Sequence, residues 1–412
     1  MAGVASQRQF SLVLWGSSGF TGKLVAEHLM QSYANQGIRW AMAGRNKEKL
    51  ERVRNSLAKK YGIDEDSIPI LVGDINNPLS LDSIASNTDV IVSTAGPFAK
   101  YGTPLLESVV KNKCDYVDIT GETPWICDMA QKYHQQAAAD GIRIIHCCGY
   151  DSIPSDMGAW TVVQKAKELG KTLKSVTSVN VKSKGGVSGG TIASGMNIAA
   201  DPSNKGKDIS SYAYIPDKNN QPRGSDTDVW TPVYCKHGGG MWLAPFIMQA
   251  INSRVVQRSN YLLNWGKDGF SYSEHIRVAS RFQAWLASVA TMAGILIFSQ
   301  PWLHFLLRKI VPAPGQGPSR ELMMSGYYEH MVFGETTDGD IITGTFADKH
   351  RDPGYWGTSR LLLEAALCLA LDKKDLDACP DVLKGGVLTP ASALGPILQK
   401  RLENADIACH AL

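Results

Sequence analysis

Residues 11–22 read SLVLWGSSGFTG, and residues 23–33 continue as KLVAEHLMQSY. An apolar, β-branched run from Phe10 to Trp15 ends abruptly in three glycines, Gly16, Gly19 and Gly22. Leu24, Val25, His28, Leu29 and Tyr33 then recur at helical spacing. Strand, glycine turn and helix open a nucleotide-binding βαβ unit. Gly16 permits a tight turn off the strand. Gly19 lacks a Cβ and lets backbone approach a pyrophosphate, and Gly22 lets the helix pack closely on the sheet. The free N–H groups at the helix start then face the phosphates. The spacing is G-x-x-G-x-x-G, with Ser18 where the commoner pattern has its middle glycine, a variant usual in folds that bind NADP. The plain alternative is a glycine turn before a helix with no ligand.

The next segments extend the pattern. A second strand, Ile38 to Ala43, ends in Gly44-Arg45-Asn46. An NAD site would place an acid there to accept from the ribose hydroxyls. Arg45 instead suits a 2′-phosphate, by charge and by bidentate geometry, so the expected cofactor is NADP(H). The other reading of Arg45 is a solvated residue at the start of the charged helix NKEKLERVRNSLAKK. A third strand, Ile68 to Val72, leads to Asp74, placed either at the adenine edge or as a turn residue. Val90 to Ser93 is a fourth strand, and Thr94-Ala95-Gly96-Pro97 leaves its carboxyl end, where such sheets bind ligands. This loop is expected to line the nicotinamide half. Tyr116 to Ile119 and Arg143 to Cys147 are further strands, separated by helices. Alternation of this kind predicts the α/β class, a Rossmann-type doubly wound parallel sheet.

Several blocks resemble the saccharopine dehydrogenase-like oxidoreductases, a family that includes trans-acting enoyl reductases of lipid synthesis. They are GSSGFTG (16–22), AGR (43–45), STAGPF (93–98) with Tyr101-Gly102, DITGE (118–122), HCCGYDSIPSD (146–156) and GGVLTP (385–390). The resemblance implies an NADP(H)-dependent oxidoreductase, and it adds Phe20, Thr21 and Phe98 to the cofactor-binding set of Gly16, Ser18, Gly19, Gly22, Arg45, Asp74, Ala95, Gly96 and Pro97. The likeness to the lysine-pathway enzymes rests on the general plan alone, so it implies no saccharopine substrate.

At 412 residues the chain exceeds one compact domain. Residues 1–155 are expected to form the dinucleotide domain and 156–384 an α+β second domain, with 385–412 returning to the first. In the second part, SVTSVNVKSK (175–184) alternates like a strand. Residues 185–199 are glycine-rich, residues 201–231 read as a surface loop, and 326–344 read as a hairpin turning at Thr337-Asp338-Gly339. Residues 355–371 form an apolar helix. A formal charge of +3 with no basic–aromatic interleaving argues against nucleic acid as a partner. The eight cysteines follow no regular spacing and read as free thiols of a reducing, intracellular compartment. No His/Cys/Asp/Glu set has metal-ligand spacing, and MAGVASQRQF is too short and polar for a signal peptide.

Residues 282–307, FQAWLASVATMAGILIFSQPWLHFLL, contain no Asp, Glu, Lys or Arg. Arg277 and Arg281 precede them, Arg308 and Lys309 follow, and Pro301 interrupts. The segment is marginal in length for a bilayer span. Three readings stand: peripheral association with a membrane or lipid-droplet surface, burial as a hairpin or in a homodimer or larger assembly, and a true span. The terminal Cys409-His410-Ala411-Leu412 has the form of a prenylation box, though His is not aliphatic.

For chemistry, a proton donor is needed beside the nicotinamide. Tyr101 lies just past the 94–97 loop, and Tyr150, Asp151 and Ser152 follow the sixth strand; these are the catalytic candidates. Ser155 as a helix cap, Asp156 in the first turn, and His134 and His146 as packing or surface residues are the plainer readings. The function expected is reduction of C=C, C=N or C=O in a hydrophobic, lipid-like small molecule. The alternatives are a non-catalytic nucleotide-binding subunit docked on a membrane or assembly and, last, a saccharopine-type dehydrogenase, for which Lys182, Lys184, Arg223 and Arg351 are the available cations.

Overall fold

Phe10–Trp15 forms β1 of the computed structural model, with Leu12, Val13 and Leu14 fully buried. The structure describes residues 8–186, 204, 206–216, 224, 228–266, 269–298, 300 and 317–412. The glycine turn delivers the chain into α1 (Phe20–Ser32). There follow β2 (Trp40–Gly44), α2 (Lys47–Tyr61), β3 (Ile70–Val72), α3 (Pro78–Ser86), β4 (Thr88–Ser93), α4 (Phe98–Lys111), β5 (Asp115–Asp118), α5 (Thr123–Asp140) and β6 (Arg143–Ile145). The strands associate in parallel. Burial on both faces explains why β1 and β4 read as continuous apolar runs instead of alternating ones. The chain winds from β1 outward through β2 to β3, then crosses back to β4 on the other side of β1. The order reverses between β1 and β4, and the carboxyl ends of those strands open the crevice where such sheets bind ligands.

α6 (Ile153–Glu168) leads into the second half. It is followed by β7 (Leu173–Lys184), β8 (Val233–Cys235), β9 (Met241–Pro245), α7 (Gln249–Leu263), β10 (Ser271–Val278), α8 (Arg281–Phe298), β11 (Tyr327–Thr336) and β12 (Ile341–Asp348). The last elements are α9 (Thr358–Leu371), β13 (Gly386–Leu388), α10 (Pro390–Asn404) and β14 (Ala408–Ala411). The second sheet is mixed, in the order β14-β12-β11-β7-β10-β9-β8, with β7 and β10 parallel. β11 and β12 form the expected hairpin, and Gly339 supplies the left-handed turn position at φ +88°.

One core joins the halves. Leu12 and Leu14 of β1, Val162 of α6, and Val332 and Phe346 of the second sheet belong to a single buried cluster. α6 is buried around most of its circumference and has no polar face to define a boundary. The C-terminal stretch divides: β13 pairs with β6 in the first sheet, and β14 pairs with β12 in the second. Residues from 385 onward therefore do not return to the first sheet alone. Cys409 is buried in β14, so the terminal box presents no accessible thiol.

None of the eight cysteines forms a disulfide. Among the described residues no cluster could hold a metal ion, and no helix is long and apolar enough to cross a membrane. Of residues 282–307, the described part is Gln300 and the α8 residues, most of which stand exposed. Residues 301–307, Arg223, and most of the stretches expected as the glycine-rich segment and the polar loop lie outside the described residues.

Candidate functional site

The turn after β1 is built on contacts that only glycine fits. Gly16 has φ +83°, and a Cβ there would lie 3.0 Å from both Ala95 Cβ and Thr94 Oγ1. A Cβ on Gly22 would stand 2.4 Å from the Gly16 carbonyl oxygen. The helix start is thus pressed against the turn, while Gly19 is exposed. Gly19 is the N-cap of α1, no side chain caps it, and no acid occupies the first turn. The first amides of α1 consequently keep their donors and their positive end for an anion. α4, which also begins at the crevice, is treated oppositely. Buried Glu122 accepts from the amides of Phe98 at 2.8 Å and Ala99 at 2.7 Å, sealing that helix start with a carboxylate.

A cavity of about 260 Å³ opens over this turn. Gly16, Ser18 and Gly19 line it in the middle. Arg45 and Asp74, beyond β2 and β3, stand to one side; Thr94, Ala95, Gly96 and Tyr101, beyond β4, stand to the other. An uncapped helix start between a guanidinium and a small-residue loop fits a dinucleotide diphosphate with an additional phosphate on its adenosine. Asp74 lines the cavity and also holds its own turn, accepting from the Asn76 amide at 2.8 Å. The other cofactor candidates act through position. Gly22 packs against Gly16, and Thr21 lies in the first turn of α1. Phe20 meets Tyr355 edge-on at 5.2 Å between centroids. Pro97 precedes α4 after a cis Gly96–Pro97 bond, and the Phe98 ring is buried against Trp125.

The four catalytic candidates separate. Tyr101 lines the cavity. Tyr150 points inward: its hydroxyl accepts from Asn180 Nδ2 at 2.7 Å and donates to His330 Nε2 at 3.0 Å. Burial raises the Tyr150 phenol above its ordinary range and lowers His330 to about 3, leaving a neutral imidazole. Ser152 is fully buried and donates to Asn252 Oδ1 at 2.9 Å; Asn252 Nδ2 donates to Glu274 Oε2 at 2.8 Å. Ser155 does not cap α6. It donates to Glu274 Oε1 at 2.6 Å, and Ser152 holds the N-cap position without a side-chain cap. Burial pushes Glu274 up to about 7 and Asp151 to about 6. Asp156, likewise raised to about 7 by burial, accepts from Ser259 Oγ and from the Ala391 amide instead of capping its own helix. The HCCGYDSIPSD block is therefore a polar junction tying α6 to α7, β10 and α10.

Two features at the carboxyl ends of β5 and β6 escape a sequence reading. His146, expected as a packing or surface residue, is buried and donates from Nδ1 to Asp118 Oδ2 at 2.7 Å. Asp118 Oδ1 also accepts from the Thr120 amide at 3.0 Å. Glu122 then reaches from the same loop to α4. Their signal is the DITGE block itself, whose two acids have no counter-charge nearby in sequence. Neighbouring Cys147 sits in the left-handed region at φ +62°, unusual for a side chain with a Cβ.

Comparison with known proteins agrees with this geometry. Residues 12–145 match the saccharopine dehydrogenase NADP-binding domain. A Mycobacterium tuberculosis protein provisionally named a trans-acting enoyl reductase is 37% identical, over 98% of both chains. The trans-acting enoyl reductase of Mycobacterium bovis is 34% identical, covering 98% of this chain and 97% of the relative. Among solved structures, the L-Glu-forming saccharopine dehydrogenase of Saccharomyces cerevisiae covers 97% of this chain and 99% of its own, with a TM-score of 0.52 at 15% identity, a likeness of fold alone. The chain belongs to the saccharopine dehydrogenase-like family that includes the trans-acting enoyl reductases, and it is an NADP(H)-dependent oxidoreductase.

Proposed function

We propose that the chain reduces the carbon–carbon double bond of a hydrophobic α,β-unsaturated acyl compound. The observation that carries this reading is the cavity wall beside β4: its lining residues Thr94, Ala95, Gly96 and Tyr101 carry no charge, and the Lys100 ammonium over the Tyr101 ring at 5.2 Å is too little to clamp a polycarboxylate. Of the cations considered for a saccharopine-type substrate, the three among the described residues are engaged elsewhere. Lys182 pairs with Glu329 and Lys184 donates to Ser325, while Arg351 stacks near Trp356. The full-length likeness to relatives named for enoyl reduction supports the same reading.

NADPH, when bound, supplies a hydride from nicotinamide C4. The α1 amides would hold its diphosphate, Arg45 its 2′-phosphate, and Asp74 the adenine side, with the Thr94–Gly96 loop lining the nicotinamide end. Reduction would add that hydride to the substrate's β-carbon and a proton to its α-carbon. Tyr101 is the donor this reading assigns, because its ring lines the cavity whereas Tyr150 and Ser152 are bonded inward. The test is NADPH oxidation with trans-2-enoyl thioesters of increasing chain length, and identification of the saturated product by mass spectrometry. Tyr101→Phe should lower turnover by about 10²–10⁴-fold with NADPH affinity unchanged. Activity on a ketone or imine series with none on enoyl thioesters refutes the reading.

A further inference from the structure

α8 inverts the usual partition of side chains. Ala284 and Ser288, one turn apart, are its buried residues and face the protein beside β9. On the opposite side Phe282 is 75% exposed, Leu286 60%, Val289 61% and Leu296 61%, with Trp285, Met292 and Ile297 also exposed. At 3.6 residues per turn these seven span an arc of about 140°. No charged side chain interrupts it. An apolar face of this breadth, directed away from the protein, marks an interaction surface.

The charges around it choose the occupant. From His275 to Arg320 the sequence has no Asp or Glu, yet it carries Arg277, Arg281, Arg308, Lys309 and Arg320. Arg277, near the end of β10, and Arg281, the first residue of α8, are both exposed. Arg281 lies over Trp242 at 6.0 Å, and Trp242 packs on exposed Tyr234 at 5.1 Å, so an aromatic rim stands beside the cations. A second copy docked by two-fold symmetry would apply the same basic, acid-free patch to itself and offer no carboxylate from this stretch to the arginines. An anionic phospholipid surface neutralises them, and Trp and Tyr favour the boundary between headgroup and acyl chain.

We propose that α8 lies in the plane of an anionic phospholipid surface. Phe282, Leu286, Val289 and Leu296 enter the acyl boundary, and Arg277 and Arg281 sit at the phosphate level. The helix adsorbs and does not span. This holds whatever the redox substrate proves to be.

The experiment is flotation of the full chain with vesicles of phosphatidylcholine alone and of phosphatidylcholine mixed with phosphatidylglycerol, together with light scattering without lipid. The wild type should float with the anionic vesicles and more weakly with the neutral ones. Leu286→Asp with Val289→Asp, both at exposed positions, should cut partitioning by at least about tenfold while NADPH binding and the circular dichroism spectrum stay unchanged. Arg277→Gln with Arg281→Gln should remove most of the preference for anionic vesicles. No flotation of a folded wild type with either vesicle overturns the proposal. So does a lipid-free dimer that the double Asp variant dissolves, which would assign the face to a second copy.

Discussion

Glu274 gives a sharp test of the junction behind α6. It is fully buried and accepts from Ser155 and Asn252, and no Lys or Arg pairs with it among the described residues. Burial is the chief cause of its rise, with nearby Asp151 adding to it. In the unfolded chain the carboxyl ionises near 4.5; in the fold it does so near 7. The sign depends on which state loses its proton first. Below about pH 4.5 both states are protonated and the group has no effect on stability. Between 4.5 and 7 the unfolded chain ionises while the native one resists, so stability falls as pH rises. Above 7 the full deficit persists, and a rise from 4.5 to about 7 corresponds to about 3 kcal/mol. Glu274→Gln keeps the shape and cannot ionise. Its oxygen can face Asn252 Nδ2 and its amide can donate to Ser155 Oγ, so the hydrogen-bond count survives. Urea denaturation of both proteins from about pH 4 to 8.5 should show near-equal stability at the acid end. The variant should gain progressively, to about 3 kcal/mol at pH 8. A gap that does not change with pH, or a variant weaker at pH 8, would falsify the assignment of a cation-free buried acid.

Three other expectations concern the crevice. Arg45→Ala should raise the dissociation constant for NADPH by about 10–100-fold and leave NADH binding as it was; equal loss for both cofactors removes Arg45 from the 2′-phosphate. Gly22→Ala places a methyl 2.4 Å from a backbone oxygen that cannot swing away; thermal melts should register a loss of about 1–3 kcal/mol, with weakened NADPH binding, and an unaffected variant would mean the turn is not tightly packed. Glu122→Ala strands the buried amide of Phe98 and frees the part-buried amide of Ala99, for a loss of about 1–3 kcal/mol by urea titration, whereas Glu122→Gln should recover part of it through its remaining oxygen; identical losses for the two would argue that Glu122 matters for packing and not as an acceptor.

Much of the first sheet is legible in the sequence because its determinants are local. Gly22 packs on the Gly16 carbonyl only a few residues back, so the glycine spacing announces the turn even though Gly16 also meets the remote Thr94 and Ala95, and buried parallel strands read as unbroken apolar runs. That one cavity gathers several of the expected residues has the same source: Arg45, Asp74, Ala95 and Gly96 stand just beyond strand ends, where the crevice opens, and Tyr101 follows in the first turn of α4. The roles of Tyr150, Ser152 and Ser155 are not legible, because their partners are remote. Ser152 meets Asn252, Ser155 meets Glu274, and Tyr150 meets His330, each a hundred residues or more away along the chain. Nothing in GYDSIPSD distinguishes a residue aimed at a crevice from one aimed at an approaching helix.

The DITGE block shows what that difference means physically. A sheet of this kind presents several helix N-termini along one edge, and each is a potential anion site. Discrimination then requires that the wrong starts be closed. Glu122 closes α4 by placing its carboxylate on the first two amides. Asp118 holds the Glu122 loop through Thr120 and fixes His146 on the next strand. α1 alone of this pair keeps its amides bare, and its first turn excludes acids. Of these two helix starts, α1 is therefore the one left able to take a phosphate. If Glu122 were neutralised, the α4 start would compete for phosphate. A Glu122→Gln variant should therefore bind inorganic phosphate or sulfate more tightly than the wild type, measured by calorimetry, and unchanged anion affinity would show that sealing α4 has no part in the selection.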